Sequence, residues 1–232
     1  MIRRLICLFC NNEIKHVFTW KSIWYDEVRK ICEECQGKLE FISGKRCTSC
    51  SRELDERYQS EGKCLDCVRW ENDSEWKGYL KKNESFFHYN DFLKEIIATF
   101  KYRGDYALAE AFVPFLLPKL TKMKNALIVP IPLSNERLIE RGFNQAEALI
   151  AAAGIEAANV LSRLHSEKQS KKSREERISI SQVFQVMDKQ KIEGKKIILI
   201  DDIYTTGSTL RHAAKALVHA GAQEITSITL AR

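Results

Sequence analysis

The sequence predicts an α/β chain in which a parallel sheet flanked by helices follows a small cysteine-rich module. Two observations support this prediction. All eight cysteines lie within the first 67 residues, and from about Trp76 onward helical and strand patterns alternate without any cysteine. Strands that alternate with helices are typical of a parallel sheet covered on both faces. We therefore place a cysteine-rich domain at 1–72 and an α/β domain at 73–232.

The length and the composition are those of a folded protein. The chain has 232 residues, and its hydrophobic content of 44% supports a real core rather than wholesale disorder. The first apolar run, residues 5–9, is short for a secretory signal, and no stretch approaches the roughly 18 apolar residues of a membrane span. We expect a cytoplasmic protein without membrane insertion, which partners could bring to the inner face of the membrane.

The net charge does not by itself indicate a nucleic-acid partner. The formal value of +6 counts every cysteine as a neutral thiol. If the eight thiols formed two four-thiolate zinc sites, each site would contribute about −2 and the total would fall to roughly +2.

The cysteines form four Cys-x-x-Cys pairs: Cys7 and Cys10, Cys32 and Cys35, Cys47 and Cys50, Cys64 and Cys67. Two such turns can complete the tetrahedron of sulfurs that zinc prefers, so four turns predict two structural zinc sites, a double zinc ribbon. Sequential pairing is simplest because it closes short loops, and interleaved pairing stays open. Disulfides and a thioredoxin-type redox pair are the alternatives, which a cytoplasmic location and the absence of a surrounding strand-helix pattern disfavour.

The stretches GKRCTSC and CVRW, together with Trp20 and Trp24, bring cations and aromatic residues together in the cysteine-rich module. This combination would suit single-stranded nucleic acid, because bases stack on aromatic rings. Filling of a very small core by the same aromatics explains the pattern equally well.

The α/β part has recognisable helices and strands. One helical face runs through Phe92, Ile96, Ile97 and Phe100, and residues 126–132 form a β-rich run stopped by two prolines. A second helix carries apolar residues on one face, and Gly154 ends it; its apolar residues are Phe143, Ala146, Leu149, Ile150 and Ala153. Strands at 197–200 and 225–230 enclose a third helix at 208–220.

Two adjacent acids, Asp201 and Asp202, end the strand IILI, and a hydroxyl-rich turn follows them. Ligands of parallel sheets bind beyond the carboxyl ends of the strands. A turn of small residues at a helix N-terminus suits a phosphate group, and paired carboxylates accept hydrogen bonds from neighbouring hydroxyls. This combination indicates a sugar phosphate as ligand, although paired acids alone also hold magnesium in phosphotransfer domains.

The stretch IILIDDIYTTGSTL resembles the signature of type I phosphoribosyltransferases, which bind phosphoribosyl pyrophosphate (PRPP) with magnesium. FKYRGDY at 100–106, VPIPLSNERLIERGFNQAEAL at 129–149 and the preceding Cys-x-x-Cys ribbon narrow the resemblance to the ComF family, named for genetic competence. The resemblance covers nearly the whole chain.

The resemblance implies a role for each site residue. Asp201 and Asp202 would bind ribose and lie at the catalytic centre. The 5-phosphate loop would consist of Thr205, Thr206, Gly207, Ser208 and Thr209. The pyrophosphate loop would run from Pro130 to Ser134 through Pro132, with Arg137 and Arg141 as cations four residues apart. For Arg141 the alternative is a helix start whose arginine meets solvent.

A polar segment at 165–179 contains Lys171, Lys172 and Arg174. In phosphoribosyltransferases a mobile loop at this place closes over the departing pyrophosphate, which needs cations and exclusion of water. The alternative is a charge run that is only a solvated face.

Three functions follow as hypotheses. The resemblance implies a competence protein that assists uptake or processing of single-stranded DNA beside a helicase-like partner, with a PRPP pocket. The second is an authentic phosphoribosyltransferase that transfers the pentosyl group to a base or amine and releases pyrophosphate. The third is a non-catalytic zinc adaptor. The sequence identifies no acceptor, so it leaves open whether the chain is an enzyme.

Overall fold

The computed structural model describes residues 5–14, 29–55, 57, 59–123, 125–164 and 183–232. Its helices and strands are, in chain order, α1 (Glu33–Gly37), β1 (Gln59–Ser60), β2 (Lys63–Cys64), α2 (Leu65–Asn72), β3 (Lys82–Phe87), α3 (Asp91–Tyr102), α4 (Leu108–Lys122), β4 (Ala126–Pro130), α5 (Asn135–Arg141), α6 (Gln145–Ala152), β5 (Leu161–Arg163), β6 (Phe184–Val186), α7 (Lys189–Ile192), β7 (Lys196–Ile203), α8 (Ser208–His219) and β8 (Glu224–Ala231).

The main sheet has four parallel strands in the order β3-β8-β7-β4. Its register places Pro130 of β4 beside Ile200 of β7 and Asp201 beside Thr229 of β8. The predicted parallel sheet flanked by helices is therefore confirmed. The loops after β4 and β7, which the sequence predicts to bind ligand, leave neighbouring strands at the same edge of the sheet.

The sheet separates two layers of core. Alternate residues of β7 point to opposite sides, so Ile198 and Ile200 enter one layer and Ile197 and Leu199 enter the other. The first layer is closed by α3, α4 and α6, and the second by α8 and by the β5-β6 hairpin. These strands are buried on both faces, as parallel strands usually are.

Helix boundaries follow from local capping. The side chain of Asn90 accepts a hydrogen bond from the backbone N–H of Leu93 and starts α3, and Asn144 starts α6 in the same way through the N–H of Ala146. The chain passes Gly154 with a φ of 69°, in the left-handed region where glycine replaces other residues at little cost. Gly154 therefore lies just past the end of α6, as the sequence predicts.

Several elements were not predicted, among them α2, the β5-β6 hairpin, β3 and α4. β3 adds a fourth strand at the edge of the sheet, and α4 continues through Pro114 and Pro118. In the described part of the chain, no helix combines the length and the apolar character needed to cross a bilayer. The proposed boundary between 72 and 73 stays a prediction.

Candidate functional site

Asp201 and Asp202 lie at the carboxyl end of β7, as predicted. Asp202 is buried, with 8% of its surface exposed, and Asp201 is half-buried. The backbone N–H of Asp202 donates to Oδ1 of Asp201 at 2.9 Å, and the N–H of Ile203 donates to Oδ1 of Asp202 at 2.9 Å. These bonds fix both carboxyl groups, and each keeps a second oxygen for another partner.

Lys101, which the sequence did not single out as a site residue, is such a partner. Its Nζ forms an ion pair with Oδ2 of Asp202, and both side chains are largely buried. Lys101 lies in the last turn of α3, at the start of the stretch KYRGDY. An amphipathic pattern places its neighbours Ile97 and Phe100 in the core, but it gives no sign that a lysine one position later reaches an acid of β7.

The pKa of Asp201 is raised from its ordinary range to about 8. The main cause is burial, which disfavours the charged form, and the second is the negative charge of Asp202. The positive charge of Lys101 acts in the opposite direction. Two acids that repel each other at a site of this kind are suited to a ligand that brings positive charge or hydrogen-bond donors.

The predicted phosphate loop, Thr205 to Thr209, connects β7 to α8. Gly207 has a φ of 80°, and a Cβ atom there would lie 2.1 Å from Oη of Tyr204. Only glycine fits, because the backbone passes directly over the Tyr204 ring. α8 begins at Ser208, so the positive end of a twelve-residue helix faces the loop.

The loop after β4 lies on the neighbouring strand. The N–H of Ile131 donates to the carbonyl of Ile200 at 3.0 Å, which holds this loop beside the acids. The segment continues through Pro132 to Ser134, whose hydroxyl caps α5 by accepting from the N–H of Arg137. The structure thus brings both predicted ligand loops to one edge of the sheet.

Arg137 and Arg141 differ in their surroundings. Arg137 is exposed on α5. Arg141 is half-buried, its guanidinium lies 5.6 Å from the ring centroid of Tyr102, and its Nη1 donates to Oε1 of Gln145 at 2.9 Å. Arg141 is therefore packed against protein groups rather than extended into solvent, and its predicted role at the pyrophosphate stays a prediction.

A third arginine, Arg163, belongs to the same region. It ends β5, and its pKa is lowered first by burial and then by the positive charge of Arg137, while the charge of Asp201 acts in the opposite direction. Arg163 is therefore within electrostatic reach of Arg137 and of Asp201, and an anion bound here would stabilise both cations. No motif distinguishes Arg163 in the sequence, since it stands alone in a short strand.

The predicted loop residues Lys171, Lys172 and Arg174 lie outside the described residues. The residues that flank this segment pair with each other, since the N–H of Leu164 donates to the carbonyl of Val183 at 3.0 Å. The two ends of the loop therefore meet beside Arg163.

The first cysteine cluster consists of Cys7, Cys10, Cys32 and Cys35. Its four Sγ atoms lie within 4.8 Å of one another, and Cys10 and Cys32 are separated by 3.8 Å between sulfurs. A tetrahedron with zinc–sulfur bonds of about 2.3 Å requires sulfur–sulfur distances of about 3.8 Å. Burial raises the pKa of the Cys7 thiol, but N–H donors of Cys10 and Cys32 outweigh it and lower the pKa to about 7.

The second cysteine cluster consists of Cys47, Cys50, Cys64 and Cys67, all of them buried. The sulfurs of Cys50 and Cys64 are 3.6 Å apart, and the N–H of Cys64 donates to Sγ of Cys47. The pairing is sequential in both clusters, which settles the question that spacing left open. All eight thiols are free of disulfides. Each cluster could hold a metal ion, as the four-sulfur arrangement predicts.

The aromatics expected to stack on bases have mixed surroundings. Trp20 and Trp24 lie outside the described residues. Trp70 of CVRW is half-buried and packs edge-on against Trp76 with ring centroids 5.5 Å apart. Trp70 thus fills a structural position, whereas the cations of the same stretches, Lys45, Arg46 and Arg69, are exposed.

Comparison with known proteins gives two kinds of similarity. Residues 139–232 match the family described as Phosphoribosyl transferase domain, a range that includes both acids and the phosphate loop. The chain is 39% identical to competence protein ComFC of Bacillus subtilis (strain 168) over 238 residues, which cover 100% of this chain and 96% of that protein. It is 34% identical to competence protein ComFC of Streptococcus pneumoniae (strain ATCC BAA-255 / R6) over 228 residues, covering 97% and 99%.

Among solved structures, a hypoxanthine phosphoribosyltransferase from Staphylococcus aureus superimposes with a TM-score of 0.33 at 19% identity. The superposition covers 52% of this chain and 61% of that chain.

Proposed function

Because the chain belongs to the ComFC family of competence proteins, we propose that it binds PRPP with magnesium and handles single-stranded DNA in natural transformation. The PRPP pocket is supported best by the position of the two acids between two loops at one edge of the sheet. Asp201 and Asp202 lie at the end of β7, between the phosphate loop that follows them and the β4 loop on the neighbouring strand.

In this proposal each part of PRPP has a matching group. The 5-phosphate lies in the loop Thr205 to Thr209, at the start of α8. The ribose hydroxyls donate to Asp201 and Asp202. The diphosphate extends toward the β4 loop, where Arg137 and Arg163 supply positive charge.

Magnesium fits the donor set, since carboxylate and phosphate oxygens are its preferred ligands. When bound, it would neutralise part of the diphosphate charge. The residues of the chain do the remaining work: they orient the ribose through the two acids and hold the phosphate on backbone amides. Lys101 contributes by tying Asp202 to the end of α3.

We also propose that each cysteine cluster holds one zinc ion. The support is the tetrahedral grouping of four free thiols in each cluster, at distances that suit zinc–thiolate bonds. The role is structural, because four protein ligands leave zinc no open position for a substrate.

Single-stranded DNA is the proposed macromolecular partner, with the protein acting beside a helicase-like competence protein that recruits it to the inner face of the membrane. Support comes from the family and from the exposed cations Lys45, Arg46 and Arg69 near the second cysteine cluster. Binding to an oligonucleotide should weaken as salt rises. The double variant Lys45→Gln, Arg46→Gln should lower the slope of log affinity against log salt by about 1 to 2. An absence of binding to any oligonucleotide at low salt would refute this part.

Pentosyl transfer is the second candidate function, and one observation favours it. A cavity of about 600 Å³ adjoins the phosphate loop, between Thr205, Tyr89 and the cysteine-rich module. A planar base could enter it beside the ribose acids. The test is whether pyrophosphate release from PRPP depends on an added nucleobase, measured with a panel of purines and pyrimidines. Release that is independent of every base would exclude transfer to these acceptors.

Calorimetric titration of PRPP with magnesium into zinc-loaded protein tests the pocket directly. We expect the wild type to bind and the double variant Asp201→Asn, Asp202→Asn to lose binding. Glu224→Gln is the matched control, because Glu224 also pairs with a lysine, Lys81 at 2.6 Å, but belongs to the opposite end of the sheet. A wild type that does not bind would overturn the PRPP proposal.

A further inference from the structure

Trp70 connects the second cysteine cluster to the phosphate loop. α2 starts directly after Cys64, carries Cys67 in its first turn, and places Trp70 three residues later. The indole Nε1–H of Trp70 donates to the backbone carbonyl of Thr206 at 3.0 Å. A residue one helical turn from a cluster cysteine is thus hydrogen-bonded to the loop that is proposed to hold the 5-phosphate.

The other side of the Trp70 ring contacts the helix that follows the loop. The guanidinium of Arg211 lies 5.0 Å from the ring centroid, and Arg211 is only 2% exposed. The backbone N–H of Arg211 donates to the carbonyl of Gly207 at 2.9 Å. Trp70 is therefore packed between the loop and the first turn of α8, so a displacement of α2 must move one or both.

The loop also rests on Tyr204, which belongs to the same core layer as all four cysteines of the second cluster. Gly207 passes directly over the Tyr204 hydroxyl, and the guanidinium of Arg232 lies 4.5 Å from the Tyr204 ring centroid. The path from the cluster to the loop thus consists of packed side chains with no solvent between Tyr204 and the backbone of Gly207.

Two buried cations in this region lack hydrogen-bond partners. Among the described residues, the Nε of Arg211 and all three side-chain nitrogens of Arg232 are buried without one. Burying a guanidinium without compensation is costly. Arg232 interacts electrostatically with Cys50 of this cluster, and the charge of about −2 that four thiolates carry around a divalent ion would compensate it.

We propose that Trp70 is a positioning residue that couples metal binding at the second cysteine cluster to phosphate binding in the loop. With the cluster loaded, α2 holds the Thr206 carbonyl in place and the loop amides are ordered before the ligand arrives. Without the metal, α2 is released and the loop loses this support. The inference rests on the proposed PRPP pocket and adds a means by which the cysteine-rich module controls it.

Coupling of this kind is reciprocal. If metal at the cluster strengthens phosphate binding, then bound PRPP must strengthen metal retention by the same factor. A hydrogen bond such as that of Trp70 contributes on the order of 1 kcal/mol, so each effect should be about fivefold. A purely structural zinc site without this connection would bind its ion with an affinity that PRPP does not change.

The test measures the equilibrium zinc affinity of the full chain in competition with a chromogenic chelator, with and without PRPP and magnesium. We expect PRPP to raise the affinity of one of the two zinc sites by about fivefold. Cys67→Ser, altered in the second cluster, should lose this increase, and Cys10→Ser, altered in the first, should keep it. Trp70→Phe retains a ring over which Arg211 can stack but lacks the N–H donor, so it should bind both zinc ions and lose the increase. Tyr79→Phe is its matched control, because it removes a ring hydroxyl that bonds to His219 at the other end of α8.

Calorimetry separates the outcomes. If the wild type binds PRPP but the affinity of both zinc sites is unchanged, the coupling is refuted while the pocket stands. If Trp70→Phe keeps the full increase, the coupling does not run through Trp70 and the proposal fails. If the zinc-loaded wild type does not bind PRPP at all, the proposed function fails and takes this inference with it.

Discussion

Lys101 and Asp202 form an ion pair between the end of α3 and the end of β7, with side chains that are only 16% and 11% exposed. The helix is thereby attached to one of the two acids proposed to bind ribose. Because α3 packs in one core layer and the acids end a strand that contacts both, this pair joins the packing of the core to the geometry of the pocket.

Removing the cation should destabilise the fold. In Lys101→Met a buried carboxyl group loses its partner, so we expect the free energy of unfolding to fall by about 2 to 3 kcal/mol. Urea unfolding at neutral pH measures the change. Lys81→Met breaks a more exposed pair with Glu224, whose side chains are 62% and 29% exposed, and should cost less than about 1 kcal/mol. Equal losses in the two variants would contradict a special role for Lys101.

Gly207→Ala should damage the phosphate loop. Its Cβ would overlap the Tyr204 hydroxyl, and its φ of +80° disfavours any side chain, so we expect a loss of about 2 kcal/mol or more. PRPP affinity should fall by about tenfold or more, because the loop must move to relieve the overlap. Gly154→Ala has a similar φ of +69° with nothing within 4 Å, and should cost about 1 kcal/mol without changing PRPP affinity. Normal PRPP binding by Gly207→Ala would place the phosphate elsewhere.

Asp201 should make stability depend on pH. Burial and the charge of Asp202 raise the pKa of Asp201 to about 8, so the folded protein keeps a proton that the unfolded chain releases near pH 4. This contribution to stability is complete below about pH 4 and is lost as the pH rises toward about 8. The unfolding free energy of the wild type, compared with that of Asp201→Asn, should therefore decrease from about pH 5 to about pH 8. A difference that stays constant or increases over this range would show that Asp201 is ionised throughout.

The two cysteine clusters should differ in their importance for stability. Cys50 is fully buried among residues that also pack on α8, whereas Cys10 is exposed. We expect Cys50→Ser to lower the melting temperature by about 10 °C, and Cys10→Ser to lower it clearly less. Thermal unfolding combined with zinc quantification tests this, and equal decreases at equal zinc loss would contradict it.

The features that could be predicted from sequence are those with local patterns. The apolar periodicity of α6 and α8 is typical of helices. The aliphatic runs of β4 and β7 are short and end at prolines or acids, which favours strands. The acids and the phosphate loop could be located because they directly follow such a run. The acids lie beside the β4 loop because the carboxyl ends of parallel strands are at the same edge of the sheet.

β3 could not be predicted because two of its three buried residues, Asn83 and Ser85, are polar, and only Phe87 is apolar. Asn83 and Ser85 are buried and bonded to Ser227 and Thr229 of β8, at 2.7 to 3.3 Å. A strand whose buried groups are satisfied by a neighbour distant in sequence shows no apolar alternation. α4 was hidden for another reason, since Pro114 and Pro118 read as helix breakers although both lie on its exposed side.

Lys101 and Arg163 were missed because their roles depend on contacts between distant parts of the chain. Nothing in KYRGDY specifies that its lysine meets Asp202, and Arg163 acquires its surroundings only when β5 lies near Arg137. The pairing of Cys-x-x-Cys turns was open for the same reason.

The two core layers have a consequence for how this protein can be divided. The first layer includes Cys7 and Cys35 of the first cluster, and the second layer includes all of the second cluster. The cysteine-rich module therefore contributes side chains to the core on both sides of the sheet. A fragment that starts at residue 73 would expose apolar surface on both sides and should aggregate on expression. The intact chain should melt in one transition, and recombination could not exchange its two halves independently.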